Sequence, residues 1–232
     1  PSFPPLNGQR VVDDAHVLSP ATITDLTSKL AALEQKTGDQ VVVVTLPSLQ
    51  GYEIEDYGYQ LGRAWGIGQK GKDNGLIFIV APNERKVRIE VGYGLEPVMT
   101  DALSSVILQN EVLPKFRSGD IEGGVVAGAN AIMGQLGLDP AQAQANAQAA
   151  AQSPPPSRPN PIPIIVILVL FFFFIRAMFG WGRSGLWAAA PFLFMGGGRS
   201  LGGGFGNSGG FSGGGFSGGG GSFGGGGASG GW

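Results

Sequence analysis

Leu76-Ile-Phe-Ile-Val-Ala-Pro-Asn-Glu-Arg-Lys-Val-Arg-Ile-Glu-Val91 is the stretch that decides the fold. Its first six residues are continuously apolar, as expected of a strand covered on both faces. Pro82-Asn-Glu-Arg85 supplies turn residues, and Lys86–Val91 then alternates polar with apolar like a half-exposed strand. The pair predicts a β-hairpin with Glu90 on its solvent side. Upstream, Gln40-Val-Val-Val-Val-Thr-Leu46 is another β-branched run and predicts a second central strand, while residues 11–14 supply a short first strand or its end.

Helical signals surround these strands. Ser19-Pro20 joins a capping hydroxyl to a proline suited to the first helical position, Ile23, Leu26, Leu30 and Leu33 follow at steps of three and four, and Gly38 closes the helix. Ile54, Tyr57, Leu61 and Ala64 predict a second helix over Glu53–Trp65. Thr100 caps a third that runs to Pro114, and residues 121–136 form a last one despite four glycines. The expected fold is therefore α/β, a three-layer α/β/α sandwich on a small mixed sheet of about four strands.

Charge divides the chain. Residues 1–139 hold all 17 acidic residues and 11 of the 15 Lys and Arg, a net −6, whereas residues 140–232 carry four arginines and no acid. Without cysteine there is no disulfide or thiol chemistry, and the single histidine, His16, excludes a multi-histidine zinc site. The head has no basic stripe, which argues against nucleic acid as a partner. Oxygen-bearing residues at loop and strand ends are left as candidates for a hard cation, Ca²⁺ or Mg²⁺: Asp13 and Asp14, Asp73, Glu90 and Asp101. Each also has an ordinary role, since Asp73-Asn74-Gly75 is a turn signal and Asp101 complements a helix dipole.

Beyond the head, residues 140–161 read as an Ala/Gln- and Pro-rich linker. Residues 162–182 form an apolar run of 21 residues, about 31 Å as a helix, and predict a transmembrane span. Arg176, Arg183 and Arg199 at or after its end place the tail in the cytoplasm and the head outside. Leu186–Met195, within 183–195, is too short and too proline-broken to span as one straight helix and is expected at the interface. A helical hairpin through 162–195, the alternative, returns the tail to the head's side. Residues 196–232 are Gly/Ser-rich with scattered Phe and a terminal Trp, too few apolar groups to offset chain entropy, and are expected to be disordered. The chain starts at Pro1 without Met, so a cleaved signal peptide is expected to precede it.

Four ordered blocks carry a family resemblance: Val12-Asp-Asp-Ala-His-Val-Leu-Ser19, Thr37-Gly-Asp-Gln-Val-Val-Val43, Trp65-Gly-Ile-Gly-Gln-Lys-Gly-Lys-Asp-Asn-Gly75 and Arg85-Lys-Val-Arg-Ile-Glu-Val-Gly-Tyr-Gly-Leu-Glu96. Together they resemble the TPM domain over about residues 9–136. The linker, the apolar run and the glycine-rich ending are similar to bacterial YgcG-type members, which are exported and membrane-anchored. That resemblance implies an α/β/α sandwich and a periplasmic head on a single-pass tether in a bacterial cell membrane. It also implies a protein-binding, assembly or maintenance role towards other envelope proteins, with a LemA-type protein among the candidates. The phenylalanines of the span would further allow a homo-oligomer.

Divalent cations are bound by some members, which implies Asp13, Asp73 and Asn74, with Asp101 as a weaker fourth, as metal ligands. Asp14 stands where relatives often have an aromatic residue, which leaves open which Asp of the pair would coordinate. Acid phosphatase activity ascribed to certain plant members gives the alternative function, metal-dependent hydrolysis of phosphomonoesters. Arg85, Arg88 or Lys72 would then anchor the phosphate.

Overall fold

A computed structural model describes residues 1–152 and 222–232. The linker beyond residue 152, the span 162–182, the segment 183–195 and the tail as far as residue 221 lie outside the described residues. Five strands order the sheet: β1 (Val11–Asp13), β2 (Gln40–Thr45), β3 (Gly75–Ala81), β4 (Lys86–Gly92) and β5 (Phe223–Gly231), in the spatial order β1-β2-β3-β4-β5. β1, β2 and β3 are parallel, with Val11 opposite Val43 and Gln40 opposite Gly75. β3 and β4 form the predicted hairpin, Leu76 opposite Val91, closed by an Arg85 N–H to Pro82 carbonyl bond of 3.2 Å.

Among the described residues, six α-helices accompany this sheet: α1 (Pro20–Thr37), α2 (Ile54–Trp65), α3 (Asp101–Ile107), α4 (Leu113–Arg117), α5 (Ile121–Leu136) and α6 (Pro140–Gln152). Successive strand residues point to opposite faces. Val41, Val43, Phe78, Val87 and Ile89 therefore pack with Leu26, Leu30, Val125 and Ile132 on the α1/α5 side. Val42, Val44, Ile77 and Ile79 pack with Ile54, Tyr57 and Leu61 of α2 on the other. Three layers result, as expected.

The predicted cap of α1 is in place: Ser19 Oγ accepts the Thr22 N–H at 3.3 Å, and Gly38 closes the helix at φ 82°. Glu122 adds a second clamp, accepting the Ser19 N–H at 2.8 Å. The hydroxyls of Thr22 and Ser19, with that N–H, hold its carboxyl down to about 2 from an ordinary 4.5. A depressed carboxylate stabilises the fold above 4.5, and that contribution is lost as pH falls towards 2. Glu122→Gln is therefore expected to flatten the acid limb of a urea-midpoint profile between those values, leaving the slope at neutral pH unchanged.

Three expectations of secondary structure differ from what is observed. The third helix does not stop at Pro114: a widened turn over Leu108–Val112 precedes it, and α4 continues to Arg117. Proline lacks an N–H and crowds the preceding turn, so a looser turn at that point accommodates it. Pro140–Gln152, expected as the start of the linker, is helix α6. It buries Ala143 and Ala147, and Gln135 Nε2 donates to the Ala143 carbonyl at 2.8 Å.

The third difference is the largest. The sheet has five strands rather than about four, because the last residues of the tail, expected to be disordered, form β5 antiparallel to β4. That pairing places residues 223–231 in the head's own sheet. Among the described residues, no helix is long and apolar enough to cross a membrane.

Candidate functional site

The four residues expected to share a cation are not brought together. Asp13 pairs with Thr45 at one end of β2, whereas Gly75, just after Asp73 and Asn74, pairs with Gln40 at the other. Five residues at about 3.3 Å each set the two groups roughly 16 Å apart along the sheet. Asp13 closes the loop before α1, accepting the Val17 N–H at 3.1 Å and the Leu18 N–H at 3.0 Å, with Thr45 Oγ1 donating as well. Asp14 and His16 are exposed on that loop. Asn74 accepts the Gln69 N–H at 2.9 Å and donates to the Gly38 carbonyl at 2.8 Å, pinning its loop to the end of α1.

Asp73 and Asp101 are engaged differently: both hold the C-terminal strand. Asp73 Oδ1 accepts the Ser222 N–H at 2.7 Å, and Asp101 Oδ1 accepts the Gly227 N–H at 2.6 Å. Glu55, on α2, accepts from the Ser229 hydroxyl. As donors to one metal these residues do not fit, because the oxygens they give to β5 are spread along the strand. Among the described residues, no group of three His, Cys, Asp or Glu is placed to hold a metal ion.

Beneath β5 lies an ion pair. Arg88 and Glu90 share one face of β4, as residues two apart must, and the Nε to Oε2 distance is 2.6 Å. This is the face expected to meet solvent, yet Glu90 is wholly buried and Arg88 is 3% exposed. Gly58 lets α2 lie close over it, since a Cβ there would stand 3.3 Å from both Arg88 Cδ and Glu90 Oε2. Burial pushes the Glu90 carboxyl above its ordinary value, and the Arg88 charge and hydrogen bond oppose that shift. Arg88 Nη2 also donates to the Gly225 carbonyl of β5 at 2.9 Å, while Glu90 Oε1 has no partner. Arg88 is thus committed within the fold and is not a phosphate anchor.

Two aromatic side chains fasten β5. Phe223 is buried with Leu61 and Ile67 against Gly62 of α2, where a Cβ would stand 2.8 Å from its ring. Trp232 lies over Phe116 on the opposite layer, ring centroids 4.3 Å apart. Between them Gly227 adopts φ 120°, and a Cβ there would come within 1.8 Å of the Ile89 carbonyl oxygen. The sequence alone did not single out Glu55, Phe223 or Trp232. One signal was present: two aromatics an odd number of residues apart, flanking a glycine run, would face opposite sides of a strand.

Fold and site define an α/β/α domain whose sheet edge binds an extended, aromatic-anchored segment. The chain belongs to the TPM domain family, whose family model matches residues 11–135, more than half of its length. β5 lies beyond the matched residues. Among solved structures, the chain is similar to the N-terminal domain of a P. gingivalis protein determined by solution NMR. The two share 36% identity over 56% of this chain and 86% of that one, with a TM-score of 0.50. The N-terminal domain of a Corynebacterium glutamicum protein is 25% identical over 58% of this chain and 84% of that one, TM-score 0.45. No curated protein matches.

Proposed function

We propose that the chain is a membrane-tethered, extracytoplasmic TPM domain that binds other envelope proteins and assists their assembly or maintenance. The observation that supports this reading is the chemistry of the β4 edge: carboxylates, a backbone ladder and two aromatic sockets arranged to grip an extended segment. Strand addition of this kind takes affinity from main-chain bonds and specificity from side-chain pockets. The resemblance to tethered relatives makes a LemA-type membrane protein the first partner to try.

Tethering here takes the hairpin form. β5 sits on the head's sheet, so both ends of residues 153–221 lie on the head's side. A single crossing would carry β5 away from β4, whereas a helical hairpin through 162–195 would not. The chain has no cysteine, so single replacements Ser2→Cys and Ser217→Cys can each be labelled cleanly in membrane vesicles. Both are expected to react with an impermeant maleimide from the same side. Reaction of Ser217→Cys only from the opposite side would sink the hairpin.

Function itself is tested with a photo-crosslinker at Tyr93, which is 51% exposed beside β5, in full-length protein in its membrane. A stoichiometric envelope partner, lost in the Asp73→Ala/Asp101→Ala double variant, is expected with and without Ca²⁺. Should no partner form while the protein hydrolyses a phosphomonoester with Ca²⁺ or Mg²⁺, and the same substitutions abolish that activity, the enzymatic reading replaces this one.

A further inference from the structure

We infer that the β4 edge is a strand-binding site that accepts the Phe223–Trp232 segment of a second copy of this chain, so that two molecules pair by exchanging C-terminal strands. The inference goes beyond the envelope-partner reading and stands without it, because every contact it uses is already made within one chain.

The receptor is built entirely from residues before 153. It comprises the β4 backbone, the Phe223 socket at Leu61, Gly62 and Ile67, the Phe116 ring, and the oxygens of Asp73, Asp101 and Glu55. Its ligand is contributed by residues 222–232 alone. The site also selects its ligand. Glycine is required at Gly227, opposite Glu90, where a Cβ would collide with the Ile89 carbonyl oxygen, and at Gly224, where a Cβ would meet the Tyr93 ring at 2.3 Å. The buried Arg88 is completed by the Gly225 carbonyl of the strand. Glu90, wholly buried and paired with Arg88 close beneath the same strand, makes the underside of the site polar. A glycine run between a Phe and a terminal Trp is an unusual ligand, and every copy of this chain carries one.

Reach and energetics permit exchange. Between Gln152 and Ser222 lie 69 residues, a connection that can span at most about 230 Å. Exchange makes each contact again in trans, so only effective concentration favours the closed form. That advantage is in the ~mM range for short flexible connections and falls as they lengthen. A reciprocal exchange closes as a two-fold symmetric pair.

The test uses full-length protein in one detergent and two complementary variants. Phe223→Ser/Trp232→Ser keeps the receptor and disables the strand; Gly62→Leu fills the socket and keeps the strand. Light scattering of the wild type is expected to show a dimer fraction rising with concentration. Each variant alone should stay monomeric, and a mixture of the two should form a one-to-one complex. A synthetic peptide of residues 221–232 should return wild-type dimers to monomers, whereas the same peptide with both aromatics replaced by Ser should not. The peptide arm needs no altered chain and so remains decisive if a variant misfolds. A wild type that stays monomeric throughout overturns the inference, as does a dimer indifferent to the peptide.

Discussion

Arg88→Met is expected to destabilise the head by about 3–5 kcal/mol, the usual cost of removing one partner from a buried ion pair. The substitution leaves Glu90, wholly buried and already one hydrogen bond short, without its only charge partner. Methionine retains most of the arginine stem's volume, so lost packing contributes little. A raised carboxyl favours the folded state most below its ordinary value of 4.5, and that favour is lost as pH rises through the folded value. The deficit should therefore be full at neutral pH and shrink as Glu90 takes up its proton in acid. Arg88→Met/Glu90→Leu should recover most of the loss, because an apolar pair of similar volume avoids the desolvation of both charges. Urea midpoints for both variants across pH check this. A neutral-pH loss below about 1 kcal/mol, the size of an exposed pair, would show that the charges are solvated rather than buried.

Phe223→Ala is expected to release β5 altogether. Removing a buried Phe ring costs about 3–5 kcal/mol in a fixed frame. β5 is not fixed, however, since six of its nine residues are glycine and ordering each backbone unit costs about 1–2 kcal/mol. Docking is a small residue between ladder bonds, two aromatic anchors and that entropy. Once the Phe anchor is gone the strand leaves, and no further loss is possible.

Phe223→Ala and a stop after residue 221 should consequently share one urea midpoint. In both, the β4 amides that face β5 should exchange roughly 100-fold faster, the factor matching about 3 kcal/mol. Amides of β2 and β3 should keep their protection, because their partners do not change. If β4 protection survives in the truncated chain, β5 contributes nothing to the edge, and the strand-binding reading of the site goes with it.

Much of the head was legible because its signals are local. Ser19-Pro20 and Gly38 bound α1 through capping chemistry that acts within a few residues. The valines of β2 and the apolar run of β3 announce strands buried on both faces wherever they occur. The third helix was misread at Pro114 because a proline disrupts a regular turn but not a widened one, and only packing decides which turn forms. In β4 the alternation of Lys86, Arg88 and Glu90 with Val87, Ile89 and Val91 was correctly read as a strand. Its polar face was misassigned to solvent because α2 and β5 come from elsewhere in the chain to cover it.

The candidate site divides along the same line. Asp73 and Asp101 were singled out as oxygen donors at element ends, and they are donors' partners there. What they bind depended on a segment more than a hundred residues later. A glycine run carries almost no side-chain pattern, so nothing in Phe223–Gly231 alone separates a strand from a disordered tail. The sequence by itself determined the three-layer head and its family. Tertiary structure alone decided that the last strand closes the sheet and that the carboxylates serve it, because pairing with β4 satisfies backbone groups that no local pattern can assign.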